Sequence, residues 1–248
     1  MKKKMSSKKR EKDKMPTHIV LLPDGNRRWA KERGLPTIHG HLAGFENIKR
    51  FCVWCQKRGI KVLTAFGFSI ENWNRPKKEV KYLLELLERG FREELERYLK
   101  KEEGNSMLTK RARVRVIGQK ERLPKSLQEA IKKVEDLTKN NKEYFLNLAV
   151  SYSGRWDIVE AAKRIIKEKI PPGKITEKLF EKYLSTFGLP APDLVIRTSG
   201  EKRFSNFLLW QSAYSELYFS DKYWPDFGEK DFDKALKEYA RRQRRFGR

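Results

Sequence analysis

His18 to Leu22 read His-Ile-Val-Leu-Leu, and Pro23 to Trp29 follow directly as Pro-Asp-Gly-Asn-Arg-Arg-Trp. A short apolar run that stops at Pro, Asp and Gly reads as a buried strand ending in a turn. The helix expected next spans Asn26 to Arg33 and stops at Gly34. Where a parallel strand hands its chain to a helix, the free N–H groups of the first helical turn attract anions before any side chain contributes. Asp24 adds affinity for a metal ion there, and Arg27 and Arg28 add charge-assisted hydrogen bonds. This junction is therefore suited to a metal and a phosphate, and it makes α/β the first expectation for the fold.

Outward from that junction, apolar runs keep alternating with stretches of helical periodicity, the pattern of βαβ units around a parallel sheet. Further strands are expected at Lys61 to Phe68, Arg113 to Ile117, Tyr144 to Val150, Leu194 to Thr198 and Glu216 to Phe219. Helices are expected at Leu42 to Arg58, Lys77 to Lys101, Lys125 to Asn140, Trp156 to Lys169, Thr176 to Phe187 and Lys230 to Phe246. Val80, Leu83, Leu84, Leu87, Phe91, Leu95 and Tyr98 make the second of these strongly amphipathic. The expectation is one α/β domain, residues 16–248, with a mostly parallel six-stranded sheet surrounded by helices. Ligands of open α/β sheets sit outside the carboxyl ends of the strands. The segments expected there are Pro23 to Arg28, Ser69 to Arg75, Ser151 to Arg155 and Arg197 to Asn206, all polar and all bearing arginine.

Composition bounds the partners. The 248 residues carry a formal charge of +24, which calls for an anionic partner: nucleic acid, a membrane surface or a polyanionic small molecule. Residues 1–15 hold eight Lys or Arg against two acids and read as a disordered basic arm. No run is long and apolar enough for a membrane span, and no signal peptide is legible, so a cytoplasmic protein that meets membranes only at their surface is expected. Cys52 and Cys55 form a lone C-x-x-C inside a helix, with no second pair to complete a zinc site, and read as core filling.

The loops lack the usual nucleotide fingerprints, G-x-x-x-x-G-K-[ST] and G-x-G-x-x-G, and no Ser/His/Asp elbow appears. Arginines, carboxylates and amides remain, which suits diphosphates clamped by Arg and magnesium while a negative leaving group departs. Each residue also has a structural reading. Asp24 suits the cap of the helix that begins near Asn26, His41 is readable as another cap, His18 and His39 suit structural roles, and Trp29, Trp73 and Trp210 suit a core.

His18 to Gly34, the following GHLAG, then FSIENWNRP, LVIRTSGEKRFSNFLLWQSAYSELYF, WPDF and the terminal RRQRRFG together resemble the cis-prenyltransferases, the undecaprenyl diphosphate synthase family. That resemblance implies the family fold with an apolar tunnel, and Mg2+-dependent, repeated condensation of isopentenyl diphosphate onto an allylic diphosphate such as farnesyl or geranylgeranyl diphosphate. The product implied is a long cis-polyprenyl diphosphate, precursor of a glycosyl carrier lipid. It assigns Asp24 and Asn72 to catalysis, and Gly25, Asn26, Arg27, Arg28, Trp29, His41, Ser69, Ile70, Glu71, Trp73 and Arg75 to the allylic substrate. It assigns Arg197, Arg203, Phe204, Ser205, Arg245 and Gly247 to isopentenyl diphosphate, and Asp24 and Glu216 to the metal. A homodimer follows from the R-x-G tail, whose family counterpart reaches the partner's active site. Because an amide is a weak base, Asn72 is expected to orient a proton acceptor such as the diphosphate or a water.

Two departures from the family pattern stand out. Thr37 replaces an arginine that touches the allylic diphosphate in many members, and residues 102–110 (EEGNSMLTK) read as an insertion. Two other functions compete: a partner-dependent or non-catalytic subunit of a heteromeric prenyltransferase, and a basic nucleic-acid-binding protein. The joint presence of Asp24, Asn26, Asn72, Arg197 and Arg203 argues against the first. Arginines set among carboxylates, outside any base-reading module, argue against the second, so no nucleic-acid partner is expected.

Overall fold

The computed structural model describes residues 15–100 and 112–242. Six strands, β1 (His18–Leu22), β2 (Val62–Ser69), β3 (Ala112–Ile117), β4 (Tyr144–Tyr152), β5 (Leu194–Arg197) and β6 (Glu216–Phe219), form one sheet in the order β3-β4-β2-β1-β5-β6. All five pairings are parallel, so the sheet expected to be mostly parallel is wholly so. Every residue of β1 is buried, as a central parallel strand covered on both faces requires. The register aligns Leu22 with Arg197, and Arg197 with Phe219, so the chain leaves β1 and β5 side by side at one sheet end.

Among the described residues seven α-helices flank the sheet: α1 (Asn26–Glu32), α2 (Thr37–Lys57), α3 (Lys77–Lys100), α4 (Lys125–Thr138), α5 (Gly154–Lys167), α6 (Glu177–Glu181) and α7 (Glu229–Arg241). One core lies between the sheet and α2, α3, α4 and α7, where Phe51 packs on Trp224 and Phe232. A second, on the opposite face, gathers Val20, Tyr152, Phe207 and Leu208. Cys52 and Cys55 are free and buried in the first core, and burial pushes both thiols far above their ordinary pKa. They fill space.

Several expected boundaries move. α2 begins at Thr37, five residues before Leu42, because Pro36 with φ −55 can stand just ahead of a helix without missing a hydrogen bond. α6 stops at Glu181 although apolar periodicity continues toward Phe187. The cause is Asp157, buried on α5, whose Oδ1 accepts from both the backbone N–H (2.9 Å) and the hydroxyl (2.6 Å) of Ser185 and so takes a donor that a continued helix needs. Met15, placed in the basic arm by sequence, packs against the first core. The rest of that arm, the 102–110 insertion and the helix end beyond Arg242 lie outside the described residues.

Candidate active site

The turn after β1 is built by close approach. Gly25 has φ 102, in the left-handed region, and a Cβ there would come within 2.7 Å of the Tyr223 ring and 2.8 Å of Ser199 Cβ. The Asp24 N–H donates to Thr198 Oγ1 at 2.9 Å, and the Trp224 N–H donates to the Asp24 carbonyl at 2.9 Å. With its backbone clamped, Asp24 holds its carboxylate at the strand end. It does not cap α1, whose N-cap is Gly25.

Arg197, at the end of β5 and only 4% exposed, joins two loops through one guanidinium. Its Nη2 donates to Asp24 Oδ2 at 2.9 Å, and its Nη1 donates to Ser205 Oγ at 2.7 Å and to the Arg203 carbonyl. Its Nε has no partner. A buried cation with an unspent donor beside a half-exposed carboxylate is poised for a further anionic oxygen. Arg28 reaches the same loop, donating to the Ser199 carbonyl (3.3 Å) and hydroxyl and pairing with Glu201 at 3.1 Å. Backbone strain collects here: Ser199, Ser205, Asn206 and Leu208, together with Ser151 at the end of β4, have positive φ without being glycine.

Ser69 to Asn74 form a second wall. The Ser69 N–H donates to Asn72 Oδ1 (3.1 Å) and the Asn72 N–H donates to Ser69 Oγ (3.2 Å), a reciprocal cap on the 3-10 segment Ile70–Asn74. Asn72 Oδ1 is thus committed, which leaves the amino group Nδ2 as the donor available to a ligand. Glu71 accepts from Asn206 Nδ2 at 3.0 Å and ties this turn to the loop after β5.

These segments surround a cavity of about 940 Å3. Its mouth carries Asp24, Arg27, Arg28, Arg75, Arg155, Arg197 and Glu71; its depth is walled by Phe45, Phe68, Leu83, Leu86, Leu87 and Leu148. Gly25, Asn26, His41, Ser69, Asn72 and Ser205, assigned to substrate or catalysis from sequence, also line it. Burial lowers the pKa of His41, and a hydrogen bond to Glu79 opposes this.

Several assigned residues point elsewhere. The Trp29 indole donates to Asp226 at 2.7 Å beneath the Arg33 guanidinium, and Trp73 donates to Ser151 Oγ at 2.9 Å while packing on Phe68. Phe204 packs on the second core, and neither it nor Ile70 lines the cavity. Arg203 offers its carbonyl to Arg197, while its own side chain is 62% exposed and paired with Glu201 at 2.5 Å. Glu216, expected to pair with Asp24 on the metal, sits apart from it within the chain. It opens β6 level with Leu194, three residues (roughly 10 Å) from the end where Asp24 sits, and pairs with Arg242 at 2.9 Å. Within one chain the two carboxylates do not meet. Arg245 and Gly247 lie outside the described residues.

Glu79, by contrast, was not singled out from sequence. Its Oε1 accepts from His41 Nε2 (3.0 Å) and Arg75 Nη1 (3.1 Å) and lies 3.8 Å from Arg27 Nε, so one carboxylate on α3 positions three mouth residues. The Arg75–Glu79 spacing of four was the available signal.

A parallel sheet whose strand ends gather five arginines over an apolar cavity defines an enzyme class: an α/β transferase that grips diphosphates and shelters an apolar chain. The profile of a family described as putative undecaprenyl diphosphate synthase matches residues 22–247. An isoprenyl transferase of Aquifex aeolicus is 46% identical over 95% of this chain and 97% of its own. A geranylgeranyl-diphosphate-specific tritrans,polycis-undecaprenyl-diphosphate synthase of Methanocaldococcus jannaschii is 45% identical over 96% of this chain and 85% of its own. The crystal structure of lavandulyl diphosphate synthase from Lavandula x intermedia, in complex with dimethylallyl diphosphate, superposes with a TM-score of 0.88 at 39% identity, covering 95% of this chain and all of that one. The chain therefore belongs to the undecaprenyl diphosphate synthase family of cis-prenyltransferases and is a prenyltransferase.

Proposed function

We propose that this enzyme extends an allylic diphosphate, farnesyl or geranylgeranyl, with successive isopentenyl diphosphate units into a long cis-polyprenyl diphosphate. The carrying observation is the pairing of an arginine-lined mouth with an apolar cavity of about 940 Å3, since the growing chain needs a dry wall and the departing diphosphate needs cations. In this reading Gly25, Asn26, Arg27, Arg28, His41 and Arg75 hold the allylic diphosphate, and Arg197 with Ser205 receives isopentenyl diphosphate. Asn72 Nδ2 orients the phosphate oxygen that takes the proton as the new double bond forms.

Magnesium fits this donor set. Asp24 is a half-exposed carboxylate at the mouth, and Mg2+ is commonly held by one or two carboxylates together with substrate phosphates and waters. When bound, the ion supplies charge neutralisation at the departing diphosphate. Glu216 would join such a site only from a second chain, which agrees with the homodimer implied by the C-terminal tail. A long isoprenoid product must also pass into lipid, so we further propose transient contact with a membrane surface; no helix among the described residues is long and apolar enough to cross one.

Incubation with labelled isopentenyl diphosphate, Mg2+ and either primer is expected to give butanol-extractable polyprenyl diphosphates, and chelation to stop their formation. Absence of extension with both primers, or extension only after a second polypeptide is added, would overturn this reading. Light scattering at working concentration tests the dimer, with a monomeric mass as the contrary result.

A further inference from the structure

The α1–α2 hairpin carries an apolar face that the site does not use. Leu35, Ile38 and Leu42 expose 37%, 39% and 37% of their surface within eight residues of chain. On α2, His41, Gly44, Phe45 and Ile48 face the cavity, while Ile38 and Leu42, four residues apart, lie beside His41 and Phe45 on an adjoining strip exposed to solvent. The same two turns of helix therefore line the cavity and present aliphatic side chains to solvent along its flank.

Cations flank these side chains. Arg27 and Lys31 are exposed one turn apart on α1, and exposed Lys77 and Lys78 open α3, which Glu79 ties to Arg27 and His41. Residues 26–42 hold four Lys or Arg and one acid, Glu32, and that acid is engaged by the Tyr223 hydroxyl. We infer that this face, Leu35, Ile38 and Leu42 with Arg27, Lys31 and Lys78 around them, docks on an anionic lipid surface, so that the cavity mouth opens at the bilayer. The inference rests on the proposed long isoprenoid product, for which it supplies the exit.

Charge decides the occupant. A second copy seated on this face across a two-fold axis would set the same cations against each other. Anionic headgroups neutralise them, and the acyl region accepts the three aliphatic side chains.

The test uses the full chain and sedimentation with phosphatidylglycerol–phosphatidylcholine vesicles against phosphatidylcholine alone. Preference for the anionic vesicles is expected, with partition about tenfold weaker in the triple variant Leu35→Ser, Ile38→Ser, Leu42→Ser. Ile166→Ser, which removes an aliphatic side chain that is 75% exposed on α5, is expected to leave partition unchanged. A second measurement does not depend on the triple variant folding. Native Cys52 and Cys55 are buried, so Ile38→Cys accepts a polarity-sensitive thiol dye selectively, and its emission is expected to shift to the blue only with anionic vesicles. Undiminished partition of a folded triple variant, an unshifted dye, or a smaller particle for the triple variant in vesicle-free solution would each overturn the inference, the last by showing that a second copy covers the face. Neither readout needs turnover, so a failed extension assay would leave the docking result separately readable.

Discussion

At the residue scale Asp24 has one structural partnership and one proposed catalytic role, and substitution separates them. Its Oδ2 is the partner of a nearly buried guanidinium, and its carboxylate is the charge at the cavity mouth that suits a metal. Asp24→Ala is expected to lower kcat at least about a hundredfold, the scale of losing one main electrostatic group at a reacting centre. It also leaves Arg197 Nη2 unpaired, a cost of about 1–3 kcal/mol, which for a chain of this size lowers Tm by several degrees. Asp24→Asn keeps an oxygen acceptor for Arg197 and loses the charge, so near-native melting with the same loss of turnover is expected. Equal Tm losses in the two variants, or turnover retained in Asn, would refute the division. Glu79 calls for a different measurement because it acts through other side chains. Glu79→Gln keeps an acceptor but not the charge facing Arg27, Arg75 and His41, and is expected to raise KM for the allylic primer more than it lowers kcat. A loss confined to kcat would contradict a positioning role.

Between elements, the approach of α3 to α2 is set by a glycine that admits an aromatic ring. A Cβ on Gly90 of α3 would meet Phe45 Cζ of α2 at 2.1 Å, and Phe45 lines the cavity. Gly90→Ala must therefore push that ring, at a cost of about 1–3 kcal/mol, and a displacement into the cavity shortens the space for the growing chain. Gly67, at an irregularity in the β2–β4 register, also lines the cavity, and its nearest obstacle is the Ala149 carbonyl at 3.3 Å. Gly67→Leu can be housed only by filling the cavity. Chromatography of the products is expected to reveal shorter chains for both variants, with native lengths as the refuting result. The strands were legible because parallel-sheet cores demand unbroken apolar runs, and α3 because its apolar residues recur every three or four positions. The end of α6 was not, since it depends on Asp157 capturing Ser185 from another helix. The orientations of Trp29 and Trp73 were illegible for a related reason: motif position places them in these loops, but acceptors distant in sequence, Asp226 and Ser151, fix where their indoles point. Glu216 was readable by the carboxyl-end rule, because it opens its strand where Asp24 follows one, and that difference alone puts them at opposite ends of the sheet.

Across the whole molecule, opposite ends of one sheet serve opposite needs. The carboxyl end concentrates charge, strain and solvent; a buried polar row crosses the sheet nearer the other end. Its first member is His18 of β1, whose Nδ1 donates to the Pro190 carbonyl at 2.8 Å, leaving Nε2 to accept from the Thr64 hydroxyl of β2 at 2.8 Å. Asn147 Nδ2 of β4 donates to the same Thr64 oxygen (3.2 Å), and Arg115 Nε of β3 donates to Asn147 Oδ1 (3.3 Å). Four strands are linked in an arrangement that uses the neutral imidazole. Protonation would turn Nε2 into a donor facing an oxygen that already accepts from Asn147, in a site that excludes water and has Arg115 nearby. Burial accordingly lowers the His18 pKa from 6.5 to about 4. The unfolded chain then binds more protons than the folded one, so this contribution is complete above pH 6.5 and is lost as pH falls from there toward 4. By pH 5 the loss amounts to about 2 kcal/mol. His41, also lowered by burial, acts in the same direction. Urea unfolding is expected to give a lower midpoint at pH 5.0 than at pH 7.5, and His18→Gln, which cannot titrate, should be less stable at pH 7.5 but lose less on acidification. An identical acid loss in the two proteins would place the sensitivity elsewhere, and a midpoint that rises toward pH 5 would reverse the sign assigned to both histidines.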